Sequence, residues 1–158
     1  ICNNVNEARE KFWTTLCEMV KSKYEMKPIQ AVDKYTSMCM LGMGHEGAKL
    51  VSDDNYVVRV EVDKLYPELM NYKNGGGYFF EYVAQNLDEI VPVLTKQCQT
   101  ISVLGVSKQQ VKDVVYRNGV RGVDRIVELG QTMGLEFIWD GYKMIETMSR
   151  FVYTGEYL

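Results

Sequence analysis

The sequence predicts an α/β fold with a largely parallel sheet flanked by helices. From Tyr78 to the C-terminus, short runs rich in β-branched and aromatic residues alternate with helical patterns about ten residues long. Strands joined through helices pair in parallel, because the helix carries the chain back to the same end of the sheet. Of the 158 residues, 46% are hydrophobic and 25% are charged, as in average soluble domains that bury a core.

Two helices are predicted before the first strand. Apolar side chains recur every three or four residues between Asn6 and Tyr24 and form one face. Asn4 or Asn6 can cap the first backbone N–H groups of this helix. Pro28 suits the first turn of a second helix, which needs no N–H donor there. This second helix is expected to run through Met40, before a glycine-rich segment ends it.

Three short strands are predicted in the middle of the chain, each rich in valine or aromatic residues and bounded by turn residues. The segment 53–55 is interpreted as a turn, because it lacks the residue spacing of a calcium loop. Gly75 to Gly77 is interpreted as a mobile loop. It is not expected to bind phosphate, because a strand follows it instead of a helix. The predicted strands are 48–51, 56–62 and 78–83.

The remaining elements alternate regularly. Asn86 and Ser107 each predict the start of a helix, since their side chains can accept hydrogen bonds from unpaired N–H groups of the first turn. A final helix is predicted to begin at Asp140. The expected elements are a helix at 87–96, a strand at 100–104, a helix at 107–118, a strand at 125–129, a helix at 140–151 and a short strand at 152–158.

The length predicts a single α/β domain over residues 1–158. The sequence opens without methionine, so we expect it to be a fragment of a longer chain. No apolar run approaches the length of a membrane span, and no signal pattern is present, which predicts a cytoplasmic protein. The net charge of −3 argues against a nucleic-acid partner.

The chain has four cysteines and one histidine, His45. The cysteines are far apart in the sequence and no pair has the short spacing of a zinc site, so no metal is expected. Cys17 and Cys39 are predicted to be buried in helix packing, and Cys98 to have no role. His45 could act as a general base, but a solvent-exposed loop residue is the preferred interpretation.

Three short sequence phrases in the last third of the chain are more specific indicators of a protein family than the alternation of strands and helices is. They are Gln-Thr-Ile-Ser-Val at 99–103, Gly-Val-Asp-Arg-Ile-Val at 122–127 and Trp-Asp-Gly at 139–141. With the Leu-Asp-Glu start of the helix at 87, they make residues 78–152 similar to the C-terminal part of the LuxC-type acyl-CoA reductases of the aldehyde dehydrogenase superfamily. Trp139 takes the place of the histidine in that family's His-Asp-Gly motif.

The resemblance implies a catalytic-domain fragment of an enzyme that reduces a fatty acyl-CoA to an aldehyde with NADPH, through a cysteine thioester. The fold would then resemble the catalytic domain of aldehyde dehydrogenases. NADPH would be bound mainly by an upstream nucleotide-binding domain, so the fragment alone would be inactive, and no cofactor-binding residue is assigned here. The family also implies a homodimer formed through a C-terminal strand, here Phe151 to Leu158.

Cys2 would be the catalytic nucleophile of such an enzyme. A thiolate near a helix N-terminus is stabilised by the helix dipole and by backbone N–H groups, and it can take the acyl group as a second thioester. Asn3 or Asn4 could donate a hydrogen bond to the developing oxyanion. Asp140 and Gly141 would lie near the acyl channel, while also suiting a helix cap. The alternative for Cys2 is a terminal residue without a role.

A second class of function fits the composition. The chain could be a non-catalytic α/β module that serves assembly or partner binding, because tyrosine is enriched at protein interfaces. Seven tyrosines are candidates for such a surface: Tyr24, Tyr35, Tyr56, Tyr66, Tyr72, Tyr153 and Tyr157.

Overall fold

The computed structural model describes residues 4–52 and 54–155. The chain forms two compact units, unit 1 over residues 1–93 and unit 2 over residues 94–158. Both units combine helices with strands, so the α/β character predicted from the sequence is confirmed. The prediction of a single domain over the whole chain stays a prediction.

Unit 1 begins with two long helices, α1 (Val5–Lys23) and α2 (Pro28–Gly44). The side chain of Asn4 caps α1 by accepting a hydrogen bond from the backbone N–H of Glu7 at 3.3 Å. Pro28 occupies the start of α2 as predicted. The helix signals in this part of the sequence were therefore sufficient, and α2 is only longer at its C-terminal end than expected.

The sheet of unit 1 has three strands, β1 (Lys49–Leu50), β2 (Val58–Glu61) and β3 (Tyr78–Glu81). β2 is the middle strand; it pairs with β3 in parallel and with β1 antiparallel. A short 3-10 helix (Pro67–Tyr72) lies between β2 and β3 in the sequence. The buried core of this unit combines Leu41 of α2 and Leu69 of the 3-10 helix with strand and loop residues, which are Val58, Val60, Val62 and Tyr78.

The predicted helix at 87–96 is wrong in type and length. Residues Leu87–Val93 form a 3-10 helix with Pro92 inside it. Proline has no N–H to donate and its ring clashes with the carbonyl one turn earlier, so an α-helix cannot pass through this position without a break. The seven residues observed are long for a 3-10 helix, which is uncommon beyond about three or four residues.

Unit 2 begins with a strand–helix–strand segment made of β4 (Thr100–Val103), α3 (Lys108–Arg117) and β5 (Arg125–Glu128). β4 and β5 pair in parallel, with Thr100 opposite Arg125. Ser107 is the N-cap of α3 as predicted: its Oγ accepts from the N–H of Gln110 at 3.2 Å, and the Gln110 side chain accepts from the N–H of Ser107 at 3.1 Å.

The helix predicted at 140–151 is replaced by a β-hairpin and one helical turn. The hairpin strands are β6 (Ile138–Trp139) and β7 (Tyr142–Lys143), followed by α4 (Met144–Thr147). The two residues between the strands both have positive φ, 48° at Asp140 and 79° at Gly141. A two-residue turn with positive φ at both positions matches the twist of the strands that flank it in a hairpin. Such φ values are incompatible with a right-handed helix. The interpretation of Asp140 as a helix cap is therefore wrong.

The strands of the described residues form three small sheets, not one. β3 pairs with β2, and β4 pairs with β5, so the two parallel pairs belong to different sheets. The single parallel sheet of at least three strands expected from Tyr78 onward is not present in this part of the chain. Residues 152–154 do not form the predicted last strand, and 156–158 lie outside the described residues. Of the helices described, none has both the length and the apolar character that crossing a bilayer requires.

Candidate functional site

The three sequence phrases come together in unit 2. The backbone N–H groups of Asp124 and Arg125 both donate to the carbonyl oxygen of Gln99, at 2.9 and 3.1 Å. This joins the first phrase to the second at the N-terminal ends of β4 and β5. Gly122 lies so close to Thr95 that a Cβ would stand 1.6 Å from the Thr95 carbonyl oxygen. No residue larger than glycine fits there, which explains the glycine that opens the second phrase.

Arg125 connects the second phrase to the third. Its side chain is 8% exposed, and its guanidinium lies 4.5 Å from the centre of the Trp139 ring. Nη1 donates to the carbonyl of Thr132 at 2.9 Å, and Nη2 donates to that of Gly134 at 3.0 Å. A guanidinium stays charged at any physiological pH. Arg125 therefore places a buried positive charge between an aromatic face and two neutral carbonyl groups.

Asp124 and Gly141 form the second contact between these phrases. A Cβ on Gly141 would lie 2.9 Å from Oδ1 of Asp124, in addition to the unfavourable positive φ at this position. Only glycine satisfies both conditions. The hairpin turn is thus fitted against the start of β5, with Trp139 on Arg125 and Gly141 on Asp124. We call these four residues the phrase cluster.

The segment between β5 and the hairpin is unusually apolar for an exposed stretch. Met133, Leu135 and Phe137 are 81%, 88% and 75% exposed. Residues 135–138 line an open crevice of about 590 Å³. An apolar surface of this kind binds an apolar ligand or another protein surface more readily than a polar metabolite.

The four site residues predicted from the sequence have different outcomes. Asp140 and Gly141 are neighbours in the hairpin turn, where Asp140 is half-buried. Cys2 and Asn3 lie outside the described residues, so their predicted roles stay predictions. The other cysteines, Cys17, Cys39 and Cys98, form no disulfide within the described residues and are half-buried, which is less enclosed than expected for the two in helices.

His45 is not the exposed loop residue that the sequence indicated. It is half-buried directly after α2, and its backbone N–H donates to the backbone carbonyl of Leu41 at 2.9 Å. Its ring stacks on Tyr66 with centroids 4.4 Å apart and meets Tyr72 edge-on at 5.4 Å. The aromatic neighbours come from a distant segment, which is why local sequence could not reveal them. His45 therefore has a packing role.

The loop at Gly75–Gly77 is held by specific contacts, contrary to the expectation of a mobile loop. Gly76 and Gly77 have positive φ, and a Cβ on Gly77 would stand 2.1 Å from the carbonyl oxygen of Tyr56. The ammonium of Lys34 donates to the carbonyl of Gly76 at 2.7 Å and also to that of Asn55. The glycines here allow the backbone of two segments to approach closely.

Lys34 was missed by the sequence reasoning. It lies on the inner face of α2 and is fully buried, with Sδ of Met26 3.6 Å from its Nζ. Burial lowers the pKa of Lys34, and the negative charge of Asp54 opposes that shift. A signal was present, because Ala31, Lys34, Met38 and Leu41 recur at helical spacing and put a lysine on an apolar face.

A second missed group is the buried carboxylate of Glu81, which is 8% exposed. It accepts hydrogen bonds from Arg9 Nε at 2.7 Å, Trp13 Nε1 at 2.8 Å and Arg59 Nη2 at 2.6 Å. Burial raises the pKa of Glu81, but the hydrogen bonds from Arg9, Arg59 and Trp13 outweigh it and lower this pKa to about 2. The glutamate is fully partnered and stays ionised, so we assign it a structural role.

No group of three His, Cys, Asp or Glu side chains able to hold a metal occurs within residues 4–52 and 54–155. The strand-to-helix connection β4–α3 has one glycine, Gly105, where a dinucleotide-binding turn has three. The described residues therefore do not fit NADPH in that mode.

The chain was compared with protein-family models, with curated proteins and with solved structures, and none of the three comparisons gives a match.

Proposed function

We propose that this chain is the catalytic-domain part of a LuxC-type acyl-CoA reductase, which converts a fatty acyl thioester to an aldehyde. The observation that carries the proposal is the phrase cluster. The three phrases that resemble the family are up to 42 residues apart in the sequence, and yet their side chains and backbones contact one another. Phrases that match by chance have no reason to meet in one place.

In this proposal the parallel pair β4–β5 belongs to a larger, mostly parallel sheet like that of an aldehyde dehydrogenase catalytic domain. In such an enzyme NADPH would supply the hydride for the reduction, and the resemblance implies that it would be held mainly by an upstream nucleotide-binding domain. The protein would act in the cytoplasm.

The proposed role of Cys2 is acyl transfer. Its thiolate attacks the carbonyl carbon of the acyl-CoA, the bond to the CoA sulfur breaks, and CoA leaves as a thiol after taking up a proton. The acyl group is then held as a thioester on Cys2. Asn3 would donate a hydrogen bond to the oxyanion that forms during the attack.

The proposed role of the phrase cluster is to position the hairpin. Arg125 and Trp139 fix one side of the hairpin, and Asp140 with Gly141 forms its turn. The apolar residues before it would suit an alkyl chain, whose burial contributes about 0.8 kcal/mol per methylene group. The structure supports a fatty rather than a polar acyl group on this ground.

The test is covalent trapping in the full-length enzyme. Intact-mass spectrometry after incubation with a fatty acyl-CoA, without reductant, should show one added acyl group that maps to Cys2. Cys2→Ser should prevent it, whereas Cys98→Ser is the matched control and should retain it. An adduct on Cys17, Cys39 or Cys98, or no adduct at all, would contradict the proposed role of Cys2.

The second candidate function is an assembly or partner-binding module. It is favoured by the number of large apolar side chains left exposed, both in residues 129–153 and on α2. Of the seven candidate tyrosines, Tyr24, Tyr35 and Tyr153 are exposed. Tyr56, Tyr66 and Tyr72 are half-buried, and Tyr157 lies outside the described residues. A homo-oligomer is compatible with either function.

A further inference from the structure

Two asparagines of this chain, Asn74 and Asn118, are followed directly by glycine. Such a pair can react with itself, because the backbone nitrogen of the glycine can attack the side-chain amide of the asparagine before it. Glycine favours this attack because it has no Cβ to crowd its nitrogen or to restrict its backbone. The nitrogen and the amide must also be free to come together. The contacts at each pair therefore decide which of the two reacts.

At Asn118 both reacting groups are held by hydrogen bonds. The side-chain Nδ2 donates to the carbonyl of Val114 at 2.9 Å. The backbone N–H of Gly119 donates to the carbonyl of Tyr116 at 3.2 Å. Both acceptors belong to the last turns of α3, and Asn118 is the C-cap residue of this helix. The end of α3 therefore keeps the glycine nitrogen and the amide in place and protects this pair from the reaction.

At Asn74 the glycine nitrogen is unrestrained. Gly75 is exposed, and its backbone N–H makes no hydrogen bond to any described residue. No atom lies within 4 Å of the position that a Cβ on Gly75 would take. The Asn74 side chain is half-buried, and its Nδ2 donates to Oγ of Ser37 at 3.0 Å. This hydrogen bond to Ser37 is the restraint that the amide has to lose before it can react.

We propose that Asn74 is a site of spontaneous deamidation, and that its isoaspartyl product loosens the loop that Lys34 holds. The Gly75 nitrogen loses its proton to a base and attacks Cγ of Asn74. The new C–N bond closes a five-membered succinimide ring, the bond from Cγ to Nδ2 breaks, and the side-chain nitrogen leaves as ammonia. Water then opens the ring at one of its two carbonyls. One opening gives aspartate, and the other gives isoaspartate, in which the backbone runs through the former side chain. This inference is independent of the acyl transfer proposed above.

The isoaspartyl product disturbs the loop because it adds one carbon atom to the backbone after Asn74. This lengthens the chain there by about 1.5 Å. The ammonium of Lys34 donates to the carbonyl of Gly76 at 2.7 Å, and a hydrogen bond of this kind is lost after lengthening by about 0.5 Å. The backbone of Gly77 cannot move towards Tyr56, because even a Cβ would overlap the Tyr56 carbonyl oxygen. The loop therefore moves outwards, away from Lys34.

The aspartyl product fits the loop as it stands. Aspartate has the same length and shape as asparagine, and its carboxylate can accept from the hydroxyl of Ser37, to which the amide of Asn74 now donates. The backbone keeps its length, so Gly76 keeps its contact with Lys34. The variant Asn74→Asp therefore reproduces the change of charge without the change of backbone, which makes it the matched control for the isoaspartyl product.

The reaction is measured by incubating the folded chain at mildly alkaline pH and mapping its peptides by mass spectrometry, with a fragmentation that separates isoaspartate from aspartate. Asn74 should convert about tenfold faster than Asn118 or more, because its glycine nitrogen is free. Gly75→Ala should slow the conversion about tenfold or more, since its Cβ crowds the attacking nitrogen, and the open space there accepts it. Ser37→Ala should speed it up roughly 3- to 10-fold, because the amide loses its hydrogen bond.

The same chain unfolded in urea is the control for the protection of Asn118. Without the helix end, both asparagines should convert at similar rates. Equal rates at Asn74 and Asn118 in the folded chain would overturn the proposal. An unchanged rate at Asn74 in Ser37→Ala or in Gly75→Ala would overturn it as well.

The effect on the loop is measured by hydrogen exchange in the incubated chain. The backbone N–H of Val58 donates to the carbonyl of Gly77 at 2.8 Å and so reports on the loop. The backbone N–H of Val62 donates to the carbonyl of Glu81 at 2.9 Å, at the other end of the same strand pair, and is the internal control. Val58 should exchange in two populations, with a fast fraction equal to the isoaspartate fraction, whereas Val62 should stay uniform.

Two variants complete this test. Gly75→Ala after the same incubation, and Asn74→Asp without incubation, should each show the slow population of Val58 alone. A chain that contains isoaspartate and still exchanges Val58 in one slow population would overturn the link between the modification and the loop. A fast population in Asn74→Asp would assign the effect to the charge instead of the backbone and would also overturn it.

Discussion

The guanidinium of Arg125 lies 4.5 Å from the centre of the Trp139 ring, which it meets face-on while donating to two backbone carbonyls. Arg125 is the arginine of the Gly-Val-Asp-Arg-Ile-Val phrase, and Trp139 opens the Trp-Asp-Gly phrase. The contact therefore joins the second phrase to the third.

Replacing Arg125 should destabilise unit 2 strongly. Arg125→Met removes two hydrogen bonds to carbonyls and the cation–π contact, and we expect a loss of about 2–4 kcal/mol. Arg125→Lys keeps the charge but not the planar fork, so its loss should be smaller. Urea unfolding measures both. Arg121→Met is the control, since Arg121 is exposed and should change stability by less than about 0.5 kcal/mol. An Arg125→Met chain as stable as the control would show that the contact is incidental.

The close approach of Gly141 to Asp124 predicts a cost for any side chain at 141. Gly141→Ala should destabilise by about 1–3 kcal/mol, through positive φ and the contact with Asp124 together. Gly130→Ala is matched to it, because Gly130 has φ of 86° and no atom within 4 Å of its added Cβ. The difference between the two variants isolates the contact. Equal losses would mean that Asp124 moves away without cost.

Glu81 should make unit 1 sensitive to acid. Its pKa is lowered from 4.5 to about 2 in the folded chain. Its contribution to stability is therefore complete above about pH 4.5 and is lost as the pH falls towards 2, an effect of about 3 kcal/mol. Glu81→Gln should weaken the chain at pH 7, because Arg9 and Arg59 lose a charged partner. It should also remove most of this pH dependence.

Urea midpoints measured between pH 2.5 and pH 7 would check this prediction. Glu10→Gln is the control, since Glu10 is exposed and should keep the slope of the unmodified chain. A Glu81→Gln chain with an unchanged slope would place the acid sensitivity elsewhere.

Lys34 should be needed to hold the glycine loop. Lys34→Met keeps the length of the side chain but leaves the carbonyls of Asn55 and Gly76 without their donor, at a cost of about 2–3 kcal/mol. Hydrogen exchange at residues 74–77 should speed up in this variant. Lys27→Met, at the exposed N-cap position just before the same helix, should leave the exchange unchanged. Unaltered exchange in the Lys34 variant would mean that the glycines hold the loop without the ammonium.

The elements whose signals are local were predictable from the sequence. Asn4 and Ser107 marked the helix starts, and runs with β-branched residues marked β2 and β5. The hairpin at 138–143 was misjudged although its signal was present, because Asp-Gly is a strong hairpin pattern. Asp140 was interpreted as the start of a helix instead. The positive φ of Asp140 and Gly141 excludes a right-handed helix at these two residues.

The contacts made by the phrase cluster, by Lys34 and by Glu81 could not be predicted in the same way. The phrases themselves were visible in the sequence, but their contacts depend on how β4, β5 and the hairpin pack. Lys34 contacts Gly76, which is 42 residues away, and Glu81 contacts Arg9, which is 72 residues away. Such pairs follow from tertiary packing, to which local composition gives no guide.

The distance between Arg9 and Glu81 along the chain has a consequence for synthesis on the ribosome. Helix α1 is translated before β3, and the carboxylate that accepts from Arg9 and Trp13 follows them by 72 and 68 residues. At about 5–20 residues per second, α1 waits roughly 4 to 14 seconds for that partner. During this interval its Trp13 and Arg9 are available to chaperones. Synonymous codons that slow translation between positions 13 and 81 should therefore lower the yield of folded chain, whereas the same slowing after position 93 should not.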